Sequence, residues 1–189
     1  MTVGAASAAA ERQMTPNTAL LIIDVQVNQF DPPYAVAGGA ALLDRLRGLI
    51  ERARAARVPV VFVRNNGTPP DPDVHGMPGW ELQPGFAPAG EESVLDKTTN
   101  DTFESTDVDA QLRAHGVTRL VIAGVQSDFC IRATTLGALA RGYTVTLASD
   151  GHSTCDGKTQ TGAEAAAEVN AQLAPRVTLA RSDEIAFAG

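Results

Sequence analysis

The sequence predicts an α/β protein with a three-layer, Rossmann-like doubly wound fold, in which a parallel sheet of about six strands carries helices on both faces. Three observations predict it. Short apolar runs rich in Val, Ile and Leu alternate with stretches whose apolar residues recur at helical spacing. Glycines close two of those stretches, Gly116 and Gly142. Strands that alternate with helices need crossover connections, and crossovers make neighbouring strands parallel. With 189 residues, 44% hydrophobic and 20% charged, the chain has the size of one ordinary domain.

Met1 to Pro16 is Ala-rich and polar and lacks the basic and apolar regions of a signal peptide. We expect residues 1–16 to form a disordered or arm-like tail, and residues 17–189 to form the folded domain. Thr18 to Val25 is an apolar run ending in an acid, which reads as a buried strand. Gly38 to Ala56 reads as a helix, with Leu42, Leu43, Leu46, Leu49 and Ile50 on one stripe. Val58 to Val63 is the second strand, with Pro59 near its first position, where a missing N–H is tolerated. Asn65 to Glu92 is rich in Pro and Gly, and a loop that long in a compact domain is usually functional. Val94 to Lys97, Val117 to Ala123, Tyr143 to Ala148 and Arg176 to Ala180 are the remaining strands. The helices between them are Asp107 to His115, Cys130 to Arg141 and Thr161 to Leu173.

Composition narrows the function. A formal net charge of −7 argues against a nucleic-acid partner, which needs a basic face. No apolar stretch approaches the roughly 20 residues that span a bilayer, so no membrane role is expected. Two cysteines without a framework spacing suggest free thiols, a reducing compartment and a cytoplasmic location.

In a parallel sheet, sites form at the carboxyl ends of the strands. Asp24 follows the first strand, Lys97 ends the third and Cys130 follows the fourth. A thiol at a helix N-terminus faces unpaired N–H groups and the positive end of the macrodipole, which favour the nucleophilic thiolate. A carboxylate can take the thiol proton, and an ammonium can hold both charges. Taken singly, each has an ordinary reading: Asp24 a turn cap, Lys97 a solvated edge charge, Cys130 a small buried hydrophobe.

Three blocks resemble a known family. Asp24-Val25-Gln26 after an apolar strand looks like the D-x-Q signature of the isochorismatase-like cysteine hydrolases. Asp96-Lys97-Thr98-Thr99-Asn100-Asp101-Thr102-Phe103 and Gly124-Val125-Gln126-Ser127-Asp128-Phe129-Cys130-Ile131 match its other two blocks. The resemblance implies a hydrolase domain over residues 17–189 and a catalytic triad of Asp24, Lys97 and Cys130. It implies hydrolysis of a non-peptide C–N bond through a thioester, with no cofactor. Backbone N–H groups of Gln126 and Cys130 would form the oxyanion hole, beside a cis peptide at Val125–Gln126. Further blocks resemble the streptothricin hydrolase-like branch, namely Lys97 to Glu104, Gly137 to Tyr143 and Ser149 to Thr154. The implied substrate is a small linear or cyclic amide.

Departures from the family pattern matter. Members that hydrolyse isochorismate have glycine at the cysteine position, so Cys130 argues against that substrate. A nicotinamidase-like, metal-assisted amidase is an alternative, but its Asp-Trp-His-Pro block is missing and the chain has only three His. Asp71, Asp73 and His75 alternate and offer a possible metal site or a solvated loop; no metal is expected. His115 before Gly116 reads as a helix-dipole partner.

The substrate pocket is expected from Asn28, Phe30, Trp80, Phe103, Phe129, Ile131 and His152. Trp80 reads equally as a lid or as a loop anchor, and His152 as a pocket residue or a turn residue bonded to backbone. Cys155 reads as a structural thiol, with a disulfide to Cys130 as the alternative. A thiol redox sensor using Cys130 is the reading from another class. Family resemblance alone suggests a homodimer or higher homo-oligomer.

Overall fold

The computed structural model describes residues 17–187. The expected N-terminal arm, residues 1–16, lies outside them. Six strands form one sheet: β1 Thr18–Ile23, β2 Val60–Asn65, β3 Ser93–Lys97, β4 Arg119–Val125, β5 Thr144–Ser153 and β6 Thr178–Ala180. Their order is β3-β2-β1-β4-β5-β6, and every neighbouring pair is parallel. Five helices connect them: α1 Gly39–Ala55, α2 Thr102–Ser105, α3 Val108–Ala114, α4 Arg132–Ala140 and α5 Gly162–Leu173.

Both faces of the sheet are covered, because β1 is apolar at every position after Thr18 and must be buried twice. Ala19, Leu21 and Ile23 point into a cluster with Phe103 of α2, Val108 and Leu112 of α3, Ala138 of α4 and Val169 of α5. Leu20 and Ile22 point the other way, onto Leu42, Leu46 and Leu49 of α1, with Phe86, Ile185 and Phe187. The three-layer α/β reading therefore holds. The direction of winding reverses between β1 and β4, where a doubly wound sheet opens a crevice at its carboxyl edge.

Several boundaries differ from expectation for local reasons. β1 stops at Ile23 because Asp24 turns into the left-handed region, with φ of 51°. β5 runs on past Ala148 to Ser153, since a register shift lets Gly124 and Val125 pair with His152 and Ser153 beyond the polar Ser149-Asp150-Gly151 step. The short α2, unmarked by periodicity, is started by Asp101, whose carboxylate accepts from the Phe103 N–H at 3.0 Å. Cys130 lies in a π-helical turn, Ser127–Ile131, that precedes α4.

Gly124 is required where it stands. Its φ is 130°, and a Cβ there would lie 2.1 Å from the carbonyl oxygen of Ile23. Glycine lets β4 approach β1 just where Asp24 and the Cys130 turn leave the sheet. Between β2 and β3 the chain makes its crossover without an α-helix. The segment is rich in Pro and Gly and contains only a 3₁₀ turn, Pro78–Trp80, and it seats Phe86 on the α1 face.

Candidate active site

Asp24, Lys97 and Cys130 come together at the carboxyl edge of the sheet, although they are far apart in sequence. The Lys97 ammonium is wholly buried. A buried ammonium is costly unless all its protons are taken. Here Nζ has three partners: Asp24 Oδ2 at 2.9 Å, Asn65 Oδ1 at 3.1 Å and Cys130 Sγ at 3.2 Å. The thiol itself donates weakly to Asn100 Oδ1 at 3.7 Å. Among the described residues, the second oxygen of Asp24, Oδ1, is buried without a hydrogen-bond partner.

The electrostatics correct one expectation. Burial, and then the neighbouring Asp24 carboxylate, push the Cys130 thiol up to about 12, against the lowering effect of Lys97. The helix-end position does not make a resting thiolate, because a charge at 9% exposure loses more solvation than the turn and one ammonium restore. Burial also raises the Asp24 carboxyl above its ordinary range, although Lys97 opposes the rise. Lys97 is raised in turn: desolvation pulls it down, but the charge of Asp24 and the hydrogen bonds to Asp24 and Cys130 more than compensate. The thiol therefore rests protonated, 3.2 Å from the Lys97 ammonium, which also holds Asp24.

The Val125–Gln126 peptide is cis. Beyond it, the Gln126 carbonyl accepts from the Phe129 N–H at 3.3 Å and the Ile131 N–H at 3.1 Å, the residues on either side of Cys130. Ser127 and His152 hold this turn to the sheet. Ser127 Oγ lies 2.8 Å from His152 Nδ1, and His152 Nε2 lies 3.1 Å from Asn170 Oδ1. Asn170 uses its amide N–H on the Ser149 carbonyl, so its Oδ1 is the acceptor. His152 is thus a neutral Nε2–H imidazole, and burial keeps its pKa low. It sits in β5 and bonds side chains, so it is not a turn residue bonded to backbone.

The other expected pocket residues divide. Asn28 is buried, and its Oδ1 has no partner among the described residues. Phe129 is 51% exposed on the π-helical turn. Phe30 packs on the start of α1, 3.1 Å from the Cβ position of Gly39. Phe103 lies against Tyr143 and under Arg141, and Ile131 is fully buried in the same cluster. Phe103 and Ile131 thus share one apolar cluster with Cys130 itself, while Phe30 is partly buried against the α1 face.

Trp80 is an anchor. Its ring packs against the Arg64 guanidinium, 3.6 Å from the centroid, and the His75 ring at 4.3 Å. Its indole N–H donates to Asn66 Oδ1, and its carbonyl accepts from Gln26 Nε2. His75 is engaged there, Asp73 bonds Asn65, and His115 Nδ1 bonds the Gln111 carbonyl at 2.8 Å. Among the described residues no three His, Cys, Asp or Glu converge on a metal-sized site. Cys155 reaches the Tyr34 carbonyl and Gln126 Nε2, and both cysteines are free. A cavity of about 580 Å³ lies at the other end of the sheet, lined by Pro59, Glu92, Leu112 and His115, and takes no part in the site. Asn65 and Asn100 were missed from sequence; their only signal was a polar residue at the end of β2 and a place in the Lys97 block.

A buried carboxylate, ammonium and thiol at the crevice of a doubly wound sheet define a candidate thiol hydrolase site. The isochorismatase domain model matches residues 18–180, and the chain belongs to the isochorismatase family. A streptothricin hydrolase of Streptomyces noursei is 44% identical over 138 residues, which is 73% of this chain and 50% of that protein. The chain therefore spans about half the length of that relative. Nicotinamidase 3 of Arabidopsis thaliana is 28% identical over 164 residues, covering 76% of this chain and 78% of that one. A crystal structure of an isochorismatase family protein from Desulfovibrio vulgaris superposes with a TM-score of 0.77 at 30% identity, covering 89% of this chain and 95% of its own. Among the described residues, no helix is long and apolar enough to cross a membrane.

Proposed function

We propose that the protein is a cysteine-dependent amidohydrolase that cleaves a C–N bond of a small linear or cyclic amide through a thioester. The observation that carries this reading is the single buried ammonium of Lys97 bridging Asp24 and Cys130. Family membership and similarity to a streptothricin hydrolase and a nicotinamidase support it.

The chemistry follows from the charges. Asp24 accepts the thiol proton at its unpartnered Oδ1 as the sulfur bonds to the amide carbon. The raised Asp24 carboxyl is a better base than an exposed aspartate, and Lys97 holds the charge created on sulfur. The carbonyl π pair moves to oxygen, where backbone N–H groups of Gln126 and Cys130 would hold it. When the tetrahedral adduct collapses, the C–N bond breaks and the amine leaves with the proton from Asp24. Asp24 then deprotonates a water whose oxygen attacks the thioester, and the thiol is regenerated with the acid as product.

The test is release of ammonia or amine across a panel of nicotinamide, carbamoyl amino acids, ureido acids, biuret and cyclic lactam antibiotics, with Cys130→Ala in parallel. Turnover of at least one amide, lost in the alanine variant, is the expected result. Turnover that survives Cys130→Ala would sink the thioester mechanism. Absence of any turnover, together with stoichiometric oxidation of Cys130 by peroxide, would replace the amidase with a thiol sensor.

A further inference from the structure

Outside the triad one buried carboxylate has no role in the chemistry above. Asp73 is 5% exposed in the crossover loop, at a place where a Pro-rich sequence predicts solvation or a metal ligand. Its Oδ2 accepts from Asn65 Nδ2 at 2.8 Å, and the other end of that same carboxamide, Oδ1, accepts from Lys97 Nζ at 3.1 Å. A carboxamide has one acceptor end and one donor end, an ionised carboxylate only accepts and an ammonium only donates. The order Asp73, Asn65, Lys97 is therefore the one arrangement in which every group is matched. Were Asn65 reversed, its amide protons would oppose the ammonium and a carbonyl would oppose the carboxylate.

The surroundings are built for this chain of contacts. Gln26 clamps the Asn65 backbone from both sides, accepting from its N–H at 2.7 Å and donating to its carbonyl at 3.0 Å. Asp73 returns a backbone bond to the Gly67 N–H at 3.0 Å, and a Cβ on Gly67 would lie 2.0 Å from Asp73 Oδ1. Gly79 is as tight, with a Cβ position 2.4 Å from the Pro72 carbonyl oxygen. Two glycines thus let the Asp73 turn press against the end of β2. Asp73 also raises the Asp24 carboxyl slightly, so its charge is felt at the base.

We propose that Asp73 is a positioning residue: it fixes the Asn65 carboxamide with its oxygen toward Lys97, and so sets where the ammonium stands between Asp24 and the Cys130 sulfur. This deepens the amidohydrolase reading and rests on it. Without Asp73 the carboxamide is free to turn, Lys97 loses its third acceptor, and the sulfur loses part of its counter-charge.

Iodoacetamide alkylation of Cys130, followed by peptide mass spectrometry from pH 7 to 10, reads this without knowledge of the substrate; Cys155 in the same chain is the reference. Asp73→Ala is expected to slow Cys130 roughly tenfold at pH 8, the effect of a thiol pKa one unit higher, and to leave Cys155 unchanged. Asp73→Asn, which can offer an oxygen to Asn65, should restore the rate to within about twofold of wild type. Asn65→Ala should slow Cys130 equally, and adding Asp73→Ala to it should change nothing more. An unchanged Cys130 rate in Asp73→Ala, or an additive double variant, overturns the proposal. Emission from Trp80, the one tryptophan, reports whether the loop stays docked; if Asp73→Ala undocks it, Asn65→Ala alone decides, and an unchanged rate there overturns the proposal. Lys97→Met separates the two levels: no slowing of Cys130 in that variant defeats the triad itself, whereas slowing there without slowing in Asp73→Ala defeats only the positioning role.

Discussion

The Cys130 sulfur lies 3.2 Å from the Lys97 ammonium, yet its thiol is held up at about 12. The pair is therefore not a preformed thiolate–ammonium couple. Burial and the Asp24 carboxylate keep the proton on sulfur until an acceptor carbon arrives. This favours chemistry in which the base works in step with the nucleophile. It disfavours indiscriminate reaction with small electrophiles or peroxide.

Replacing Asp24 separates base from charge. Asp24→Asn removes the proton acceptor, and amide hydrolysis is expected to fall by roughly 10²–10⁴-fold. The same change removes the negative charge that raises the thiol, so alkylation of Cys130 at pH 8 should become faster than in wild type. Opposite signs in the two assays are the diagnostic result. Slowing in both would mean that Asp24 supports the turn rather than the proton transfer.

The pH profile of turnover follows from the directions of shift. Activity needs Asp24 ionised, and its pKa is raised above the ordinary 3.8, so the acid limb lies above that value. Activity also needs Lys97 charged, and its pKa is raised above the ordinary 10.5. kcat/KM should thus rise with pH through the acid limb and hold into alkaline solution until above 10.5. A basic limb near neutrality would show that another group controls the rate.

His152 ties stability to pH. Its folded pKa lies below the unfolded 6.5, so the unfolded chain binds the extra proton first as the pH falls. Its contribution is complete above 6.5 and is lost as the pH drops through that value toward the folded pKa. Denaturation midpoints measured between pH 8 and pH 5 should fall in wild type. They should fall less in His152→Gln, which has no titratable group at this position. An identical slope in both proteins would remove His152 from the account.

Gly124→Ala is a test of the crevice geometry. The new methyl would meet the Ile23 carbonyl at 2.1 Å with φ at 130°. Strain and overpacking together should cost on the order of 3 kcal/mol in urea unfolding. Gly116→Ala is the control, since φ is also positive there, at 69°, but nothing lies within 4 Å of its Cβ position. It should cost about 1–2 kcal/mol, the strain alone.

Much of this protein was written locally. Alternating apolar runs and helical stripes specify a parallel sheet because each strand must bury both faces, and β1 does so at every position after Thr18. Parallel connectivity then carries every strand end to one edge, which is why Asp24, Lys97 and Cys130 could be grouped from spacing and family resemblance. Tertiary structure decided what depends on contacts across that edge. The thiol's high pKa comes from burial and from Asp24, neither visible at a helix start. Phe103 and Ile131 pack in the cluster that also holds Cys130, and Phe30 against the α1 face, because apolar side chains follow available packing. Asn65 and Asp73 sit in or beside a Pro- and Gly-rich loop without periodicity, so no pattern connects them. Only folding places one carboxamide between a buried carboxylate and a buried ammonium, and only then does its orientation acquire a reason.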